Sequence, residues 1–301
     1  MPFLVIQGTF RLVNKTKTGK PTGFEPDGDS IHFKPNKPSL LNKLTVLTKP
    51  VQFSNIGSVQ LRMEGIDALE EHYQPDKGGA VSHQPRGLAD AARDFLTGEL
   101  GLNPVPYTPP DNLKVKPPVP HDATPGFILS RSLEVNGRPV SFVFAGDPPV
   151  ADGTEIHLTP TLLKQSVNYK LIASGNAYPL FYDTLFAELR NPLAAAARKA
   201  RKAKRGLWAE DRTLTGVQVK TQADLEANGV IFPKLFRRLT DYLAETDGNL
   251  AKFPKWLEKK REQVLILDTK NFTHLDNLVR VSDGKVMMTL ASDRFVVISQ
   301  K

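Results

Sequence analysis

Hydrophobic positions alternate with polar ones in several short stretches, and each stretch predicts a strand. Phe3 to Ile6 is a brief apolar run that starts the first. Ser30-Ile31-His32-Phe33-Lys34 and Ser58-Val59-Gln60-Leu61-Arg62-Met63 each place apolar side chains on one face only, as a half-buried strand does. Phe127–Leu133 and Pro139–Phe144 predict two more strands. Asn136-Gly137 between them is a strong hairpin signal, because both residues tolerate the positive φ that a tight turn needs. The spacing changes to a helical one in Gly87–Leu100, where Leu88, Ala91, Ala92, Phe95 and Leu96 form one apolar face. Further helices are expected over Thr161–Ala173, with Gly175 as its C-cap, and from about Asp183 to Arg205, ending at Gly206. Between these elements lie turn-rich or proline-rich stretches: 14–28, 35–50, a surface insertion at 72–86, and 103–126 with its eight prolines. Proline cannot donate a backbone hydrogen bond, so the last stretch is neither helix nor central strand.

The pattern changes after Thr215. Residues 222–262 carry helical spacing, including FPKLFRRLTDYL, and residues 263–299 hold the short strand signals VLILD, LVRV, KVMMTL and RFVVIS. The expected organisation is residues 1–215 as one domain and 216–301 as a smaller α+β accessory module. The length agrees, since 301 residues at roughly 150 per domain is about two domains. Phe232, Leu235, Phe236, Leu239, Tyr242 and Leu243 read as the module's core face.

Composition narrows the chemistry. Hydrophobic residues are 40% and charged residues 24%, which fits a folded globular chain. No window reaches 18 apolar residues, so no membrane-spanning helix is expected. Nothing near Met1 reads as a signal peptide, and the expected location is cytoplasmic. Cysteine is absent, which excludes disulfides, thiol catalysis and thiolate metal sites. Forty basic against 32 acidic residues leave +8, a balance that favours polyanionic partners. The run Arg198–Arg205 has six basic residues in eight and is either a solvated helix face or a nucleic-acid contact. The six histidines are scattered without ligand spacing, and none is assigned to a metal.

Three segments place carboxylates or arginines where a strand meets a turn: Asp27-Gly28-Asp29-Ser30, Leu61-Arg62-Met63-Glu64-Gly65-Ile66-Asp67-Ala68-Leu69-Glu70, and Asn136-Gly137-Arg138. Strand ends are where a rigid scaffold can present side chains to a ligand. These segments, followed by two helices and Gly206-Leu207-Trp208-Ala209-Glu210-Asp211, resemble the staphylococcal-nuclease (thermonuclease) family over residues 5–212 in order and spacing.

The resemblance implies a mixed α+β fold: a five-stranded OB-type barrel with packed helices. It implies a calcium-dependent nuclease cutting DNA, RNA or both with little base specificity. Asp29 and Asp67 would ligate calcium through carboxylate oxygens, and Ala68 through its backbone carbonyl. Glu70 would orient or deprotonate the attacking water, and Arg62 and Arg138 would hold the phosphate and stabilise its transition state. Such a site suits a hard cation and not a soft one. Ala68-Leu69 stands where the family has Thr-Pro, and Asn136 where it has Tyr. Phe181 and Tyr182 are the nearest aromatics for base stacking. Two alternatives stay open: a catalytically weak or inactive nucleic-acid-binding protein on the same fold, and a scaffold whose 216–301 module mediates self-association or binds a protein partner.

Overall fold

Phe3, Leu4, Val5 and Ile6 are all buried, so both faces of the strand they begin are covered. The computed structural model describes residues 2–46 and 48–299. It is mixed α+β. In chain order the main elements are β1 (Phe3–Arg11), β2 (His32–Pro35), β3 (Val59–Gln60), β4 (Arg62–Met63), β5 (Ile66–Ala68), α1 (Arg86–Glu99), β6 (Thr124–Leu133), β7 (Pro139–Ala145), α2 (Val167–Ser174), β8 (Ala177–Pro179), α3 (Ala187–Lys202), α4 (Gln222–Asn228) and α5 (Pro233–Glu245). The chain divides into two compact units that are not successive in sequence. One comprises the residues up to Glu64 with Arg93–Leu171, the other Gly65–Ala92 with the residues from Ile172 onward.

The first unit is built on one sheet in the order β3-β2-β1-β6-β7-β4. All its pairings are antiparallel except β4–β7, which is parallel with Arg62 opposite Val140. The two ends of this path, β3 and β4, are separated in sequence only by Leu61, whose N–H donates to the Ile31 carbonyl at 2.9 Å. One short segment therefore bonds to β2 with its first half and to β7 with its second, and the sheet curls into a nearly closed barrel. Such closure removes exposed edges. Ile6, Phe10, Phe33 and Ile128 are buried on one face of the sheet, and Val5, Leu129 and Phe142 on the other. Burying each stabilises the fold by roughly 1.5–3 kcal/mol. Gly126 lets the Phe10 ring lie against the β6 backbone, since a Cβ there would fall 2.3 Å from that ring. Asn168 of α2 is fully buried and fastens helix to barrel. Its Nδ2 donates to the carbonyls of Glu64 and Ser141, and its Oδ1 accepts from the Val143 N–H.

In the second unit β5 pairs antiparallel with β8, with Asp67 opposite Tyr178. Asp211 Oδ1 accepts from the Tyr178 hydroxyl at 2.7 Å and from Thr213, whose Oγ1 in turn accepts from the Phe232 N–H. Helix α5 starts there, with Pro233 pre-set for its first turn. It buries Leu235, Phe236, Leu239 and Tyr242 as its spacing predicts, while Leu243 is half-buried. Trp208 is buried beside Tyr178, ring centroids 4.8 Å apart. Two three-stranded sheets complete this unit, one of Val217–Gln218, Lys285–Met288 and Val279–Ser282, the other of Phe272–His274, Gln263–Ile266 and Phe295–Val297.

Three expectations are corrected. The helix expected over 161–173 is broken into Pro160–Leu163 and α2. Ser166 explains the break: its Oγ donates to the Leu163 carbonyl and accepts from the Tyr169 N–H, so it ends one helix and caps the next. The helix expected from Asp183 begins at Ala187. The stretch 72–86 is not simply a surface insertion, because Ser82 and Gln84 are buried and bond to Glu226 and to the backbone of Gly229 and Ile231.

Candidate functional site

Alternating burial gives the barrel of the first unit a polar outer face. Val59, Leu61 and Met63 point inward, while Gln60 and Arg62 are only half-buried. His32 of β2 lies opposite Gln60 and faces the same way. The hairpin turn between β6 and β7 adds Arg138. That turn closes with Gly137 at φ +83° and the Glu134 N–H bonded to the Arg138 carbonyl. Gln60 and Arg138 line a cavity of about 590 Å³ together with Asn14, Phe24, His32 and Phe53. The Phe24 ring stacks flat on His32, centroids 3.5 Å apart. Phe53 is 48% exposed. Burial pushes the His32 imidazole down to about 4, so it is neutral near pH 7, and its Nδ1 lies 3.2 Å from the Ser58 hydroxyl.

Asp29 follows the turn that Asp27 braces by accepting from the Asp29 N–H. Its Oδ2 accepts from Arg62 Nη1 at 2.7 Å, and its carbonyl accepts from the Met63 N–H. Asp29 and Arg62, singled out separately by the sequence as a metal ligand and a phosphate contact, are thus paired with each other. Arg138 Nε donates to Glu134 Oε1 at 3.2 Å, with both side chains partly exposed.

In the second unit Asp67 and Glu70 meet a third group that nothing in the sequence placed there. Arg237, in the second turn of α5, donates to both Asp67 oxygens at 3.1–3.2 Å and also to Glu70 Oε1. The Asp67 side chain is 0% exposed, and those of Glu70 and Arg237 are 18% and 20%. Burial alone would lower the Arg237 guanidinium's pKa, but the two carboxylates outweigh it and hold it well above its ordinary value. The contact is braced by Gln84, which exchanges backbone and side-chain bonds with Glu70 and donates to the carbonyls of Gly229 and Ile231 ahead of α5. One turn further along α5, Asp241 accepts from the Tyr73 hydroxyl and the Asp76 N–H. Ala68 is buried in the β5–β8 ladder opposite Ala177.

Several other expectations resolve differently. Arg237 and Arg238 are engaged internally, Arg237 with Asp67 and Glu70 and Arg238 with Glu262 and Asp241. Arg198 and Arg201 of the basic run both pair with the fully buried Asp293. Phe181 is 1% exposed and so is not a stacking surface. Phe24 and Phe53, which sequence pattern does not single out, line the cavity instead. Their only signal is an aromatic residue in an otherwise polar loop.

The oxygens of Asp29, Asp67 and Ala68 have the chemistry a calcium ion takes. Arg237 covers both Asp67 oxygens, Arg62 holds Asp29 Oδ2, and among the described residues no three His, Asp or Glu side chains are grouped to hold a metal. Among the described residues no helix is long and apolar enough to cross a membrane. Compared with known protein families and with curated proteins, the chain matches none.

Proposed function

We propose that the protein is a nuclease of the thermonuclease type on an OB-type barrel, binding DNA or RNA and hydrolysing its phosphodiester bonds. The observation that carries this reading is the row of His32, Gln60, Arg62 and Arg138 on one outward barrel face beside the half-open cavity with Phe24 and Phe53. Neutral polar groups, an arginine and exposed aromatic faces are what a single strand of nucleic acid needs from a barrel surface. The strand path also supports it: β3 and β4, separated only by Leu61, pair with β2 on one side and β7 on the other.

In this reading Arg62 and Arg138 grip the phosphate. A planar guanidinium matches two phosphate oxygens at once, and its attraction grows as negative charge builds on them. To do so Arg62 exchanges its bond to Asp29, and Arg138 its bond to Glu134, for the ligand. Glu70 takes the role of base toward the attacking water, as the resemblance implies. Calcium is proposed with this reading on the chemistry of the acid set alone. When bound, it would polarise the phosphoryl group and acidify water.

The test is cleavage of plasmid DNA and of a single-stranded oligonucleotide, with calcium and again with chelator. Calcium-dependent product is expected. A folded protein that gives no product under any condition overturns the catalytic reading. One observation favours a second reading, a binding protein without catalysis: Arg237 already occupies Asp67 and Glu70. Salt-sensitive oligonucleotide binding with no product would select it.

A further inference from the structure

Asp67 and Glu70 turn their carboxylates onto one guanidinium, at a place where Asp67 is entirely removed from solvent. Buried carboxylates are costly unless a cation meets them, so both acids hold whichever cation stands between them. Carboxylate oxygens are also the ligands a hard divalent cation takes, and such an ion carries twice the charge of a guanidinium. With Arg237 against both Asp67 oxygens, a divalent cation brought to them would meet a like charge at close range, so the two compete. Arg237 also does not sit there by chance of a mobile side chain. Gln84 ties the Glu70 backbone to the chain entering α5, and Tyr73 and Asp76 grip Asp241 one turn after Arg237. Arg238, its neighbour, is turned to Glu262 and Asp241 and leaves the position to Arg237.

We propose that Arg237 is a built-in competitor of divalent cations at Asp67 and Glu70, so that guanidinium pairing and cation binding exclude each other. The protein then carries its own stand-in cation, and a metal reaches these carboxylates only by displacing Arg237. This holds whether or not the chain cleaves nucleic acid.

The test is calorimetric titration of the full chain with calcium chloride, comparing wild type with Arg237→Gln and Arg237→Lys. Arg237→Gln is expected to bind calcium at least about tenfold more tightly than wild type and to gain a calcium-dependent rise in melting temperature. Arg237→Lys keeps the charge but loses the planar fork, and is expected to lie between them. Adding Asp67→Asn to Arg237→Gln should remove the gain. Folded variants that bind calcium no better than wild type overturn the proposal. Should Arg237→Gln fail to fold, the calcium affinity of Arg237→Lys decides between the same two outcomes. Nuclease activity is read separately: tighter calcium binding without cleavage upholds the competition and refutes the nuclease.

Discussion

Replacing Glu262 with glutamine removes the carboxylate that holds the N-terminal half of α5 through Lys234 and Arg238. Glu262 is buried and accepts from Lys234 Nζ at 2.5 Å and from Arg238 Nε at 2.7 Å and Nη2 at 2.9 Å. Burial alone would raise its pKa, but Arg238 and Lys234 outweigh that and lower it from the ordinary 4.5 to about 2. Its folded pKa lies below its unfolded one. The unfolded chain therefore binds the proton first as pH falls, and the stability Glu262 contributes is present above about pH 4.5 and lost as pH approaches about 2. A difference of that size corresponds to about 3 kcal/mol. Urea unfolding followed by tryptophan fluorescence suits the measurement, because Trp208 and Trp256 both belong to the second unit. Wild type should exceed Glu262→Gln by about 3 kcal/mol near neutral pH, with the gap closing steadily below about pH 4.5. A gap that stays constant down to about pH 2.5 would refute the reasoning, since it would mean that the glutamine's shape and not the lost charge matters.

Two further outcomes test the barrel face. Arg62→Ala or Arg138→Ala should lower nucleic-acid cleavage at least about a hundredfold, as loss of a contact strongest in the transition state does; wild-type turnover in either variant would remove that arginine from the proposed chemistry. The His32 ring signal in NMR should titrate near 4, not 6.5, and because the folded pKa is the lower one, its contribution to stability should be present above about pH 6.5 and fade as pH falls toward 4. A midpoint at the ordinary value would show that the stack on Phe24 does not shield it.

Local pattern was enough for those elements whose partners are close along the chain. Alternation marked the strands around Phe33 and Leu61, because a strand with one buried face must repeat every second residue. Asn136-Gly137 marked the hairpin, since its turn needs a residue that accepts φ near +83°. The buried aromatics of α5 were legible from helical spacing, and so was the α1 segment, which runs Arg86–Glu99 against an expected Gly87–Leu100. The pairing of Asp29 with Arg62 joined two residues already singled out by sequence.

The remaining features depend on contacts between distant parts of the chain. Whether Ser166 continues a helix or caps a new one depends on which backbone groups its hydroxyl reaches, and periodicity carries no trace of that. Phe181 looked available for stacking and is buried, because exposure depends on what packs over a residue. Arg237 lies 170 residues from Asp67. Nothing in either neighbourhood marks the other, for ionic attraction acts through space and is set only when the fold brings the groups together. Residue pattern along the chain located most of the strands and helices, and the acids and arginines that stand at their ends. The folded chain alone decided which cation those acids hold, because a charge has no preferred partner until burial removes water as the competing one.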